Sequence, residues 1–267
     1  MIYISSSSEK KLCNHSTMAQ LNEKDTPYND IYYFQNELAK RIYEVGALPI
    51  GIILNNGELD IESLKMCDAL LLGGGKKITK YSLQAINYAI ENNIPFLGIC
   101  LGMQTIGVYS YLEERITNKG QIISNQTLID EYQKIKEEKI QFLKPVENHY
   151  NEKITRTNKD TNKHQLKIIN GTILHDIYKQ DVLDVISLHR YALNKYGSNA
   201  IINCTNNNII EGIELKEKNK FILGLQWHPE LEKENNIIFK KLVEEANKRY
   251  TFRRNYCYQS KRNVKRC

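Results

Sequence analysis

The sequence predicts an α/β fold, a three-layer (αβα) sandwich around a mostly parallel central sheet. Three observations carry that expectation. Strand-length apolar runs alternate with segments of helical period through the first half of the chain. Two of those runs, Asp68–Leu72 and Ile94–Ile99, are apolar nearly throughout, as strands covered on both faces are. Both lead into glycine-bearing turns, the edge at which sheets of this kind bind ligands.

Taken in order, Ile2–Ser5 reads as a short first strand, followed by a polar loop to about Asn29. A helix is expected next, with Ile31, Phe34, Leu38 and Ile42 on its apolar face and Gly46 at its end. Ala47–Leu54 reads as a strand, Leu59–Met66 as a short helix, Ala69–Leu72 as a strand, and Thr79–Asn93 as the helix feeding the strand Ile94–Ile99. Right-handed crossovers would make these strands parallel, with helices on both faces. The second half changes character. Closely spaced strands at Gln165–Asn170, Val182–Leu188, Ala200–Cys204, Ile209–Leu215 and Phe221–Gln226, with few helices between them, suggest mixed or antiparallel pairing. Asn170-Gly171 and Asn206–Asn208 suit turns, and a last helix from about Leu231 to Arg249 would close the fold. The charged stretch Asp130–Lys144 reads as an exposed helix, either solvated surface or a lid.

Chemistry concentrates at two strand ends. In Gly98-Ile99-Cys100-Leu101-Gly102, glycines flank a cysteine where a strand must turn into a helix, and they permit that turn without Cβ clashes. The sulfur would then stand at a helix N-terminus, whose free N–H groups favour negative charge. A buried structural cysteine is the plain alternative. Far downstream, the strand Phe221–Gln226 runs into Trp227-His228-Pro229-Glu230. His228 suits a base for a Cys100 thiol, and Glu230 suits the group that orients and charges it. A surface His-Pro-Glu turn is the alternative there.

With both motifs in place, the chain resembles a class I glutamine amidotransferase domain, and more closely the peptidase C26 or γ-glutamyl-γ-aminobutyrate hydrolase type. The resemblance runs from about Ile2 to about Tyr250 and implies a flavodoxin-like fold with a Cys100, His228 and Glu230 triad. It also implies a γ-glutamyl thioester on the cysteine. Within it, Gly73-Gly74-Gly75 resembles the glycine loop that supplies one oxyanion-hole N–H, from Gly74, with Leu101 supplying the other. Gln104 matches a glutamine lining the glutamyl pocket, and Ser187 and His189 sit where a Ser-x-His segment borders the substrate. The implied substrate is a γ-glutamyl amide cleaved by water. The alternative is glutamine itself, with ammonia handed to a separate synthetase subunit, and a non-catalytic binding module is the third reading. Lys76 stands where many relatives carry an acid, residues 109–127 form an insertion, and Ser124-Asn125 replace a usual glycine pair.

No cofactor and no metal are expected. His149 and His164 fall near histidines of the hydrolase branch but have no metal partner at a useful spacing, and the six cysteines make no C-x-x-C pair. That cysteine usage, the absence of a leader-like start and the lack of any membrane-length apolar stretch lead to an expectation of a cytoplasmic protein. Residues 1–250 are expected to form the catalytic domain and 251–267 a basic tail. From Lys248 to Cys267 there are eight Lys or Arg and no acid, against a whole-chain charge of +6. Such a tail, with interleaved tyrosines, can bind nucleic acid or an anionic surface, but a flexible solubilising extension is the expected reading.

Overall fold

The computed structural model describes residues 35–52, 59–75, 77–150, 162–216 and 220–249, together with the backbone of three short N-terminal strands. Nine strands form the main sheet. In chain order they are β1 (Ile2–Ser5), β4 (Pro49–Ile52), β5 (Ala69–Leu72), β6 (Phe96–Ile99), β8 (Lys163–Ile168), β9 (Val182–Ile186), β11 (Ala200–Asn206), β12 (Ile209–Leu215) and β13 (Ile222–Leu225). Their spatial order is β4-β1-β5-β6-β13-β12-β11-β8-β9. The first five in that order pair in parallel and the last four join by antiparallel ladders. Two small ladders stand apart, β2 (Ser7–Ser8) with β3 (Tyr32–Tyr33) and β7 (Leu143–Pro145) with β10 (Tyr191–Leu193).

Alternation along the central strands splits the core into two layers. Leu70, Leu72, Phe96 and Ile222 face one side, where α2 (Ile61–Lys65), α3 (Lys80–Glu91), α4 (Leu101–Asn118) and α5 (Asn125–Glu137) contribute buried apolar residues. Ala69, Leu71, Leu97, Ile99, Leu223 and Leu225 face the other. There they meet α1 (Asn36–Glu44), α6 (Ile173–Tyr178) and the C-terminal helix over residues 236–249. Gly98 and Gly224 are cross-strand neighbours, and a Cβ on either would collide with α4, through Gly102 and Ile106 or through Met103. The paired glycines therefore let α4 lie unusually close to the sheet.

Several expected elements shift for local reasons. The first helix begins at Asn36, and Tyr32–Tyr33 pair as a strand; Ile31 and Phe34 lie outside the described residues. Ser124 is the N-cap of α5: its side chain accepts from Thr127 N–H while Thr127 answers with its hydroxyl. The 109–127 insertion is thus the rest of α4, a short link and that cap. The expected exposed helix Asp130–Lys144 corresponds to α5, which starts earlier and ends at Glu137, with one face, Leu128, Glu131 and Ile135, buried against its neighbours. Buried Glu131 pairs with Arg115 at 2.6 Å and Lys119 at 2.8 Å, fastening α5 to α4. Helix α6, capped by Thr172, lies between strands where no helix was expected. The final helix is preceded by two 3-10 turns, Pro229–Leu231 and Lys233–Asn235. Lys76, residues 250–267 and Cys13, Cys257 and Cys267 lie outside the described residues.

Candidate active site

Register brings the expected site residues together. Leu72 of β5 lies beside Gly98 of β6, and Ile99 lies beside Leu225 of β13. The residues that leave these three strands are Gly73-Gly74, Cys100 and Gln226-Trp227-His228, so all emerge side by side at the carboxyl edge of the sheet. A Cβ built on Gly74 would stand 3.4 Å from His228 Cε1 and 3.7 Å from Cys100 Cβ.

Cys100 holds a backbone conformation that L residues avoid, φ 54° and ψ −104°. Its N–H donates to Leu225 O at 2.7 Å, and its carbonyl accepts from Gln104 N at 3.1 Å. These bonds and the two flanking glycines hold the strained turn. Cys100 is also the N-cap of α4, yet its side chain makes no capping bond. The N–H of Leu101 and its first-turn neighbours therefore meet the site from the helix end.

His228 leaves β13 behind fully buried Trp227, and its Nδ1 donates to Glu230 Oε1 at 2.6 Å. Burial works against the imidazolium. The charge of Glu230 and the hydrogen bonds to Cys100 and Glu230 outweigh it and hold His228 well above the ordinary histidine range. Pro229 opens a 3-10 turn that swings Glu230 back under the ring. Arg41, buried on α1, donates from Nε to the Glu230 carbonyl at 2.9 Å and is held in turn by Glu44 at 2.8 Å. The amide of Gln35 lies against the Gly73-Gly74 turn, with its Oε1 buried and without a hydrogen-bond partner among the described residues. Neither residue was foreseen. Arg41 shares the apolar face of α1, and only its charge on that face hints at a buried partner.

Gln104, one turn into α4, donates from Nε2 to Tyr191 O and to Gln226 Oε1, both at 3.0 Å. It forms part of a wall with the strand-end glutamine. Ser187 and His189 do not join Cys100. Ser187 Oγ donates to His149 O at 3.0 Å, while the His189 ring spans Tyr191 O at 3.1 Å and Glu211 Oε1 at 3.2 Å. They belong to a second buried cluster with His149, His164 and Glu211, although His149 and His164 have no partner at a readable spacing in the sequence. A groove lined by Lys77, Ile78, Leu101, Tyr132, Lys136 and Phe142, among others, runs along α5 and borders the site at Leu101, without including Cys100 or His228. Among the described residues, no helix is long and apolar enough to cross a membrane.

Comparison with known proteins agrees with this geometry. The chain matches the family described as glutamine amidotransferase class-I over residues 29–244. It is 32% identical to the CTP synthase of Sulfolobus acidocaldarius over 66% of this chain and 33% of that protein. It is 29% identical to a glutamine amidotransferase-like protein of Rickettsia prowazekii over 73% of this chain and 76% of that one. The chain thus spans about a third of the length of the CTP synthases it matches. In fold it is similar to the glutaminase domain of Trypanosoma brucei CTP synthase, solved with bound acivicin, with a TM-score of 0.59, 17% identity and coverage of 92% and 93% of the two chains. A nucleophile-type turn and a His-Glu pair meeting at the carboxyl edge of this sheet, with that family match, place the chain in the class I glutamine amidotransferase family.

Proposed function

We propose that this protein hydrolyses the side-chain amide of glutamine through a thioester on Cys100 and supplies the ammonia to a synthetase. The observation that carries the reading is the convergence of Cys100, His228 and Glu230 beside the Gly74 turn. Its support is the kinship with CTP synthases, of which this chain matches one third of the length.

In the proposed reaction, Cys100, with its proton transferred to His228, attacks the amide carbon through Sγ, and the carbonyl π electrons move to oxygen. The N–H groups of Gly74 and Leu101 stabilise that oxyanion, a contribution of about 3 kcal/mol. His228 returns its proton to the leaving nitrogen, the C–N bond breaks, and ammonia departs from a γ-glutamyl thioester. Water then loses a proton to His228 and adds to the thioester carbon; the C–S bond breaks, and glutamate and the thiol are restored. Glu230 keeps Nδ1 of His228 protonated throughout, so that Nε2 does the proton transfers. Gln104, fixed by Tyr191 O and Gln226, has its remaining Oε1 for the glutamyl amino group. The synthetase partner is a separate chain or a further domain.

A second reading is a stand-alone hydrolase of γ-glutamyl amides. The match to most of the length of the Rickettsia protein favours it. Glutamate release from glutamine and from a panel of γ-glutamyl amides, with Cys100→Ala as blank, separates the two. Faster turnover of a substituted amide than of glutamine would overturn the glutaminase reading, and equal release by wild type and Cys100→Ala would sink both.

A further inference from the structure

Behind the wall that holds Gln104 lies a cluster the proposed reaction does not use. Three imidazoles converge on one carboxylate that is wholly buried: His189 Nε2 and His149 Nε2 stand 3.2 and 3.3 Å from Glu211 Oε1, and His164 Nε2 stands 3.6 Å from Oε2. Only the His189 contact has hydrogen-bond geometry. His149 Nε2, both ring nitrogens of His164 and Glu211 Oε2 are buried without a hydrogen-bond partner among the described residues.

Tautomers sharpen the point. His149 Nδ1 lies 2.6 Å from Glu147 O and His189 Nδ1 lies 3.1 Å from Tyr191 O. A carbonyl oxygen can only accept, so both Nδ1 atoms carry protons. A neutral His149 ring would then aim its Nε2 lone pair at a buried carboxylate, an arrangement that either a proton or a metal ion between them relieves. Backbone carbonyls on Nδ1 are also the partners that fix metal-bound histidines. The supporting frame is built: His149 O accepts from Ser187 Oγ, His189 N and Asn162 Nδ2, and Asn162 also donates to Ser187 O.

We propose that His149, His164 and Glu211 hold one Zn2+ ion, with His189 bracing Glu211 through its hydrogen bond. A tetrahedral ion with bonds of about 2.0–2.1 Å has ligand-to-ligand edges of about 3.3–3.4 Å. His149 Nε2 lies 3.3 Å from Glu211 Oε1 and His164 Nε2 lies 3.6 Å from Oε2, each close to such an edge. His149, His164 and Glu211 bring donor atoms within 4.8 Å of one another. Two imidazole nitrogens disfavour Mg2+ and Ca2+, and the ion joins three chain segments as a clamp. It ties the 147–149 loop and β8 to β12, and the His189 hydrogen bond to Glu211 adds the 187–191 segment. From there Gln226 N donates to Glu211 O at 2.8 Å and Gln104 meets Tyr191 O, so the clamp stiffens the pocket wall.

The experiment uses full-length, untagged protein carrying Cys100→Ala and alkylated at its remaining exposed thiols, so that no thiolate offers a competing site. Mass spectrometry for metals gives the stoichiometry, competition with a chromophoric chelator gives the affinity, and Co2+ substitution gives the ligand field. One equivalent of Zn2+ is expected, with a tetrahedral Co2+ spectrum lacking a thiolate charge-transfer band and affinity falling at least about tenfold in His164→Ala and Glu211→Gln. No stoichiometric binding, or binding unchanged in both variants, overturns the proposal and leaves a proton-bridged cluster. Should the variants fail to fold, X-ray absorption on the parent protein decides. A shell of nitrogen and oxygen with an imidazole signature supports the site, and any other shell refutes it.

Discussion

Replacing Gly98 by alanine tests the packing that positions the thiol. The added Cβ would lie 2.5 Å from the Gly102 carbonyl carbon, 2.6 Å from its oxygen and 2.9 Å from Ile106 Cδ1. Ile106 can change rotamer, but Gly102 is backbone in the first turn of α4. Restoring an ordinary 3.4 Å contact there requires β6 and α4 to part by about 0.9 Å. The helix has no slack, since Gly102 itself rests against the Leu72 carbonyl and Met103 against Gly224. Overpacking of this kind costs about 1–3 kcal/mol, and each kcal/mol lowers the melting temperature by about 2–4 °C in a protein of this size. The shift also carries Leu101 N–H and Cys100 relative to Gly74, and a displacement near 1 Å costs about 10²-fold in rate. Calorimetry and kcat for glutamate release from glutamine read the two effects on the same sample. Unchanged melting would refute the clamped packing, and a lower melting point with wild-type kcat would refute the claim that this packing sets the reacting geometry.

Gly74→Ala should melt like wild type, since its Cβ finds only ordinary contacts of 3.4 Å and beyond, yet lose rate because the methyl enters the space between His228 and Cys100; paired melting and kcat measurements check this. Glu230→Gln removes the charge that holds His228 protonated, so the alkaline limb of the kcat/KM profile against pH should move to lower pH; a stationary limb would refute the role of Glu230. The same raised histidine stabilises the fold below its unfolded value near 6.5, and that contribution fades as pH rises through the folded value. Glu131→Gln should cost about 1–2 kcal/mol in urea unfolding, less than a fully buried pair because Arg115 and Lys119 can turn to water. Glu131 is held below the usual carboxylate range because the Lys119 and Arg115 hydrogen bonds and charges outweigh burial. The wild-type advantage is therefore present above about pH 4.5 and should shrink as pH falls through the depressed value. Arg41→Ala should lower kcat with little change in KM, since it acts through the Glu230 backbone; equal losses in both would argue against positioning.

Much of this protein was legible before any coordinates. The turn at Cys100, the capped helix after Thr79 and the hairpin at Asn206–Asn208 follow from residues within four positions of one another. Glycine at a close approach, an N-cap hydroxyl and a period of two or three and a half act locally, so a local reading finds them. Helix α6 escapes a local reading because six residues carry too little periodicity to separate from a loop, and the burial of Glu131 within α5 escapes it because that residue reads as one more exposed charge.

What the sequence determined by itself is which residues stand at the strand ends, including Cys100, His228 and Glu230. What only the tertiary structure decided is what stands beside them. Arg41 reaches Glu230 across 189 residues, and Glu211 gathers histidines from three separate segments. Those encounters depend on strand order and register across nine strands. A strand's own pattern records which face is buried, but it holds no record of which neighbour the finished sheet will bring.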